Sequence, residues 1–312
     1  MAEEKIKVSI IILSFNTKEF LRNCLESLRN LPVEIIVVDN GSTDGSKEYL
    51  RDLEQKRFRN IEKKKESAKS LNVYNSISLK VIFNNQNLGF GAGNNQGMRE
   101  ATGKYLLLLN SDTIVKNGAP LKMAEFMEKQ AEVGVLGCKL LNPDGSPQPS
   151  AGPFPNLWVS AIMLFAEHWL GDLVRSSFAQ TKEVDWVMGA ALMVRREVIK
   201  KAGLMDEGIF MYMDEVEWCY RIKKSGYKVM FYPGAEITHL GGGSSKTGRK
   251  DPILNIYRGL IYFYQKHYAP WQLPLLKTML KLKATGALLI GWLTNNSYLK
   301  QTYAEALKIS RI

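Results

Sequence analysis

Residues 8–45 read VSIIILSFNTKEFLRNCLESLRNLPVEIIVVDNGSTDG. Val8–Leu13 is an unbroken, largely β-branched apolar run, the pattern of a strand buried on both faces of a parallel sheet. It stops at Ser14-Phe15-Asn16. Phe20, Leu21, Cys24, Leu25 and Leu28 then recur at helical spacing, and Asn16 followed by Glu19 has the form of a capping box. Pro32 ends this unit. Val33–Val38 is a second buried run, delivering the chain to Asp39-Asn40-Gly41-Ser42, and a helix is expected from about Ser46 to Leu53. The alternation of strand and helix predicts an α/β fold, with a mostly parallel central sheet flanked by helices.

The same grammar continues outward. Val81–Phe83 and Tyr105–Leu109 read as further strands, with a helix opening between them and running to about Ala101. Pro120–Lys129 is expected to be helical, Val133–Leu141 a strand and Pro143–Pro155 a turn-rich segment. Val184–Val194 is apolar with a break at Gly189-Ala190-Ala191, and short helices are expected over Arg196–Ala202 and Glu215–Lys224. Lys228–Tyr232 reads as a late strand. Residues 55–78 form a polar, Lys-rich stretch, read as an exposed insertion. From Pro252 onward the sequence turns helical, aromatic and basic. The expected division is a catalytic domain over 1–250 and a helical appendage over 251–312.

The chain has 312 residues, 45% hydrophobic, and a net charge of +11. That excludes a disordered chain and leaves nucleic acid, an anionic membrane surface or a polyphosphate ligand as partners. From Pro252 to the end, eight Lys or Arg face one acid, Glu305. Cys24, Cys138 and Cys219 are scattered among apolar neighbours and read as buried, reduced thiols. No signal-peptide core precedes the first strand. A cytoplasmic protein is expected, lying at the inner face of the cell membrane.

Polar residues at strand ends are the candidate site, because ligands of open α/β sheets bind beyond the carboxyl ends of strands. Three such ends are Ser14-Phe15-Asn16, Asp39-Asn40-Gly41-Ser42 and Asn110-Ser111-Asp112. Asp39 there can accept from a base N–H or a ribose hydroxyl, or can cap its own turn. Asp112 suits a hard divalent cation bound to a diphosphate. Asn87–Gly97 offers a backbone that lets a ligand approach closely before a helix N-terminus. Asp214-Glu215 opens a helix behind the apolar run 210–213, a setting that raises a carboxylate toward general-base range. Glu217 falls on a different face of that helix. His239 abuts the Gly/Ser loop 241–245, where a metal or diphosphate contact is plausible chemistry.

In this order the motifs VSIIILSFN (8–16), VVDNGSTDGS (37–46), NQNLGFGAGNNQG (85–97), LLLLNSDT (106–113), WVMGAALMVRREVI (186–199), GLMDEGIFMYMDEVEWCYRIKKSGYKV (203–229) and HLGGGSS (239–245) resemble the inverting family 2 glycosyltransferases of GT-A fold. The likeness is greatest to a bacterial rhamnosyltransferase-like subgroup. It implies that Asp39, helped by Ser14 and Asn16, holds the donor's base or ribose. Asn87, Gly89, Asn94, Asn110 and Ser111 would line the donor pocket. Asp112, with His239, would hold Mg²⁺ or Mn²⁺ under the diphosphate. Trp186, Gly189 and Ala190 would meet sugar and acceptor, and Glu215, with Asp214 beside it, would be the base. Two positions depart from the common pattern: Asn110 stands where many members carry the first Asp of Asp-x-Asp, and Asp214-Glu215 stands where many carry Glu-Asp, so the base stays open between the two.

The implied activity is single-displacement transfer of a hexosyl or rhamnosyl group from dTDP-L-rhamnose, or else a UDP-sugar. The acceptor would be a hydroxyl of a glycan or lipid-linked molecule, in cell-surface polysaccharide synthesis. Tyr257, Tyr262, Phe263, Tyr264, Tyr268 and Trp271, interleaved with bases, and the apolar run Ala284–Leu293 suggest membrane-surface contact through the tail; packing on the body or a homodimer contact is the other reading. A donor-binding protein without turnover is the rival that Asn110 motivates. Gly91-x-Gly93 imitates a dinucleotide fingerprint, but it does not follow the first strand. No nucleic-acid-binding motif is present.

Overall fold

The computed structural model describes residues 8–55, 78–241 and 250–311. Most of the Lys-rich insertion, and Gly242–Ser245 of the Gly/Ser loop, lie outside the described residues. In chain order the elements are β1 (Val8–Ser14), α1 (Lys18–Ser27), β2 (Glu34–Asp39), α2 (46–55), β3 (Ser78–Phe83), α3 (Phe90–Glu100), β4 (Tyr105–Asn110) and β5 (Thr113–Val115). Then come α4 (Ala119–Glu128), β6 (Val133–Leu141), β7 (Pro147–Gln148), β8 (Ala151–Gly152) and α5 (Leu157–Ala161), which runs through a π-helical turn into α6 (Glu167–Leu170). β9 (Lys182–Val184), β10 (Trp186–Val187), β11 (Ala191–Arg195), α7 (Arg196–Ala202), α8 (Asp214–Lys224) and β12 (Lys228–His239) complete the body, followed by α9 (Lys250–His267), α10 (Gln272–Leu293) and α11 (Ser297–Ile309).

The main sheet runs β3-β2-β1-β4-β11-β6-β12-β5, with β7 on β6 and β9 on β12. β3, β2, β1 and β4 are parallel, and β11 is antiparallel to both β4 and β6. Alternation along each strand explains the unbroken apolar runs. Ile10, Ile12, Leu107 and Leu109 enter one core, while Ile11, Leu106 and Leu108 enter the other, so both faces of the sheet are covered by helices. One charged residue is buried in these runs: Glu34 accepts from Ser9 and from the Thr102 backbone N–H, at the sheet end opposite the polar strand ends.

Register brings the polar ends together. Ser14 lies opposite Asp39 and Leu13 opposite Asn110. Since β2 and β4 flank β1, the three ends converge on one edge. α3 sits close over β1 because a Cβ at Gly93 or Gly97 would come within 2.4 Å of Leu13 or Ile11. These two glycines therefore serve helix-on-strand packing, whereas the sequence reading gave the whole Gly/Asn segment to a ligand.

Two local expectations are corrected. The capping box does not form: the N-cap of α1 is Thr17, with no side-chain cap, and Asn16 adopts φ 55°. Its Oδ1 accepts from the Thr43 N–H at 2.7 Å instead, tying two strand-end loops together. The late strand does not stop at Tyr232. It shifts register between Tyr232 and Glu236, across Pro233-Gly234, and continues to His239. Pro233 has no N–H for the ladder, and the irregularity absorbs it.

The C-terminal helices bury Leu254, Tyr257, Leu260, Phe263, Leu276 and Leu280 against one another and against Met213, Val216 and Leu164 of the body. α9 lies on the turn before α8: a Cβ at Gly259 would come within 2.8 Å of the Met213 side chain and 3.1 Å of the Tyr212 carbonyl.

Candidate active site

Asp39 is fully buried at the end of β2. Its Oδ1 accepts from the backbone N–H groups of Gly41 and Ser42 at 3.2 and 3.0 Å. Its Oδ2 has no partner. One oxygen thus shapes the turn, and the other is an orphaned acceptor, which is costly to bury without a ligand donor. The turn-capping reading of Asp39 describes one oxygen, and the other is left open to a donor group.

Beside it, the hydroxyls of Ser14, Thr17 and Ser111 form a chain, with contacts of 3.0 and 2.8 Å. Ser14 and Ser111 are buried within it. Thr17, which links them, was not singled out from sequence. Asn40, named as part of its strand end, was given no role of its own. Its amide donates to Asn87 Oδ1 at 2.8 Å and to the Gly89 carbonyl, and its Oδ1 accepts from Asn84 and from the Leu88 N–H. This network fixes the loop before α3. Gly89 needs its φ of +87°, and a Cβ there would come within 2.4 Å of the Phe210 carbonyl; no other residue fits. Asn94 is buried and donates to the Phe90 carbonyl, in the first turn of α3.

At the end of β4, the Asn110 N–H donates to the Ala190 carbonyl at 3.0 Å. β12 pairs with β5 so that His239 lies opposite Thr113, which brings His239 Nε2 within 3.4 Å of Asp112 Oδ1 and 3.4 Å of Asn110 Nδ2. His239 Nδ1 lies 2.8 Å from Gln148 Oε1. With Nδ1 donating to Gln148, Nε2 is the ring nitrogen turned toward the Asp112 carboxylate, and a cation between the two would be held by both. Two ligands at right angles on one Mg²⁺ or Mn²⁺ sit about 3 Å apart, so the donor set fits a divalent ion. Among the described residues no cluster of three or more His, Cys, Asp and Glu side chains is present; a cation held here would take its remaining ligands from diphosphate, water or amide oxygen.

The third wall is the start of α8. Tyr212 and Met213 both adopt left-handed conformations, φ 62° and 70°, and turn the chain sharply into Asp214. Asp214 is 1% exposed, with Oδ2 unpartnered. Burial, then the charge of Glu215 and a hydrogen bond with it, push the Asp214 carboxyl well above the usual carboxylate range. This favours its protonated form relative to an exposed carboxyl. Glu215 is half-buried, and a Cβ on Gly189 would lie 3.8 Å from its Cβ and 2.9 Å from the Phe90 ring. Gly189 thus lets Glu215 and Phe90 approach. Through Ala190 the same loop is bonded to Asn110, linking the α8 wall to the strand ends.

Trp186 is placed differently from its neighbours in the sequence. Its indole N–H donates to the Pro153 carbonyl at 2.8 Å, and its ring packs between the body and the C-terminal helices. Glu217, set apart from Glu215 by its spacing, is fully buried among Arg221, Lys266 and His267. The three cysteines are buried and unpaired, and burial raises each thiol to about 12, which makes them inert.

A family model described as "Glycosyl transferase family 2" matches residues 9–202. The chain is 24% identical, over 295 residues, to the N-acetylglucosaminyl-diphospho-decaprenol L-rhamnosyltransferase of Mycobacterium tuberculosis, covering 86% of this chain and 88% of that one. It is 27% identical over 276 residues to the O-antigen biosynthesis protein RfbC of Myxococcus xanthus, covering 85% of this chain and 19% of the longer protein. Among solved structures, the mannosyltransferase PcManGT from Pyrobaculum calidifontis, in complex with GDP-Man and Mn²⁺, superposes with a TM-score of 0.55 at 15% identity, covering 98% of this chain and 86% of that one. That likeness shows the fold, which is GT-A.

Proposed function

The chain belongs to glycosyl transferase family 2, and from that premise we propose that it transfers a sugar, with inversion, from dTDP-L-rhamnose to a hydroxyl of a lipid-linked glycan in cell-surface polysaccharide synthesis. A UDP-sugar is the alternative donor. The observation that carries the reading is the orphaned buried oxygen of Asp39, on the same sheet edge as the Asp112–His239 pair. One site offers an acceptor for a pyrimidine or ribose donor group and a place for a diphosphate-bound cation. The names of the two relatives support the sugar and the acceptor class.

In this reading Asp39, with Asn16 and the Asn87–Asn94 loop, grips the nucleoside. Ser111 and Asn110 flank the diphosphate. Asp112 and His239 would hold the divalent ion, which would offset the charge that develops on the departing diphosphate. Glu215 takes the proton from the acceptor hydroxyl as that oxygen attacks the anomeric carbon, and Gly189 and Ala190 leave room for both sugars. Asp214 lies buried beside Glu215, where burial and the Glu215 charge favour its protonated form.

The test is a binding and turnover screen over dTDP-, UDP- and GDP-sugars, with and without Mn²⁺, using a membrane extract as acceptor source. Metal-dependent binding of one pyrimidine donor is expected, with inverted product. A product of retained configuration, or no binding of any donor, would overturn the reading.

The lipid-linked acceptor is supported by the surface of α10. Leu275, Leu282, Leu289 and Leu293 lie exposed along one side, opposite the buried stripe Leu276, Leu280, Ala284 and Gly291. Lys281 and Lys283 flank the exposed stripe at 100° per residue, and 272–293 contains no acid. α5 and the π-turn pack beside α10, and the neighbouring residues Trp158 and Trp169 are 71% and 77% exposed. No helix among the described residues is long and apolar enough to cross a membrane. An apolar stripe between lysines suits an anionic bilayer surface. Flotation is expected to rise with anionic lipid content and to be lost in a Leu282→Glu/Leu289→Glu variant. A variant that floats unchanged, or a wild-type dimer that the substitutions dissociate, would count against the membrane.

A further inference from the structure

The turn between β6 and β7 carries a chain of polar contacts whose direction is set from one end. Asp144 is exposed, and hydrogen bonds from the Ser146 hydroxyl and N–H hold its carboxyl below the usual range; as a carboxylate it only accepts. Ser146 Oγ donates to Asp144 Oδ1 at 2.6 Å. Its one proton is thereby used, so Ser146 Oγ accepts from Asn142 Nδ2 at 2.9 Å. That places Asn142 Oδ1 toward Gln148, whose Nε2 donates to it at 3.1 Å. The remaining end of the Gln148 amide, Oε1, then faces His239 Nδ1 at 2.8 Å. An amide oxygen only accepts, so Nδ1 carries a proton, and Nε2 is the ring nitrogen that faces Asp112 and Asn110.

Pairing fixes the distances. β7 is bonded to the end of β6, with Gln148 opposite Leu140, while β12 runs on the other side with Thr238 opposite Leu141. Gln148 and His239 therefore reach each other from the two strands that flank one strand end.

We propose that Gln148 is a positioning residue that locks His239 in its Nδ1–H tautomer, with Asp144, Ser146 and Asn142 setting the polarity of the lock. Histidines that bind metals hold their orientation and basicity through such a partner on the other ring nitrogen. Without Gln148 the ring is free to turn and to take the Nε2–H tautomer, which places a proton where a cation would sit. The inference rests on the proposed metal site for its consequence, but the lock itself is a property of the metal-free protein.

The test uses the full-length chain and two readouts. Long-range ¹H–¹⁵N correlation on the metal-free protein is expected to show His239 with Nδ1 protonated in the wild type and in Gln148→Glu, whose carboxylate accepts the same bond. In Gln148→Leu the Nε2–H form is expected to appear. Mn²⁺ affinity, titrated by electron paramagnetic resonance with UDP or dTDP present, is expected to fall about tenfold or more in Gln148→Leu and to stay near wild type in Gln148→Glu. A wild type with the Nε2–H tautomer, or a Leu variant with unchanged tautomer and unchanged Mn²⁺ affinity, would overturn the lock. A wild type that binds no Mn²⁺, yet loses the Nδ1–H signal on Gln148→Leu, would leave the lock standing and remove the metal reading.

Discussion

Glu215→Gln is expected to lower kcat by roughly 10²–10⁴-fold, the usual worth of a positioned general base, with the Kd of the nucleotide-sugar within about twofold of wild type. The substitution keeps the shape of the side chain and removes only the site that takes the proton. The proposed site gives donor binding to Asp39 and the strand ends, on other elements, so the two quantities are expected to separate. Asp214 is expected to substitute poorly, because burial and the neighbouring charge favour its protonated form. Asp214→Asn keeps the shape of the side chain without a charge and is expected to cost far less than Glu215→Gln. A folded-state pKa raised in this way contributes stability below about pH 3.8 that is lost as pH rises through the folded value, so Asp214→Asn is also expected to gain stability relative to wild type at alkaline pH. Stopped-assay kinetics with saturating donor, beside isothermal titration of the donor alone, measure both. If Asp214→Asn abolished turnover while Glu215→Gln left it intact, the two residues would exchange roles.

How much of this was legible depends on which residues act through the chain and which through space. The strand ends were legible because an apolar run that stops at Ser14, Asp39 or Asn110 announces both the strand and where it opens. The register that sets Ser14 against Asp39 follows from parallel pairing. Asn16 was read as a helix cap because the local pattern allows it; its left-handed backbone and bond to Thr43 belong to a neighbouring loop that no window of sequence contains. Residues 157–170 gave no helical signal, since the period looked for is that of a buried face, and Trp158, Phe165 and Trp169 are exposed. Gln148 is a neutral amide in a Pro-rich turn, and only the closure of β7 onto β6, 91 positions away from His239 in sequence, gives it meaning.

Glu217→Ala is expected to cost about 3 kcal/mol of stability, the lower end of the range for breaking a buried ion pair, because Lys266 is partly exposed and screened. Glu217 has no exposed side-chain surface and meets Arg221 Nη2 at 2.9 Å, Lys266 Nζ at 2.8 Å and His267 Nε2 at 3.0 Å. Two of these partners lie on α9, so the carboxylate joins the C-terminal helices to the helix that carries Glu215. Burial alone would raise its pKa, but hydrogen bonds from Arg221, Lys266 and His267 outweigh it and hold it below the usual value. Burial holds His267 below its ordinary value of 6.5, against the pull of Glu217. Both shifts are depressions. Their stability is present above the unfolded values, 6.5 for His267 and 4.5 for Glu217, and is lost as pH falls through the folded ones. Urea midpoints for wild type should therefore fall steadily from pH 7 to pH 4, and those of Glu217→Ala should start lower at pH 7. Activity should fall with them. α9 also presses Gly259 onto Tyr212 and Met213, the two left-handed residues that aim Asp214 and Glu215, and strained conformations persist only where surrounding structure holds them. A Glu217→Ala protein that kept both its urea midpoint and its kcat would show that α9 is a passenger on the body rather than the clamp on its catalytic turn.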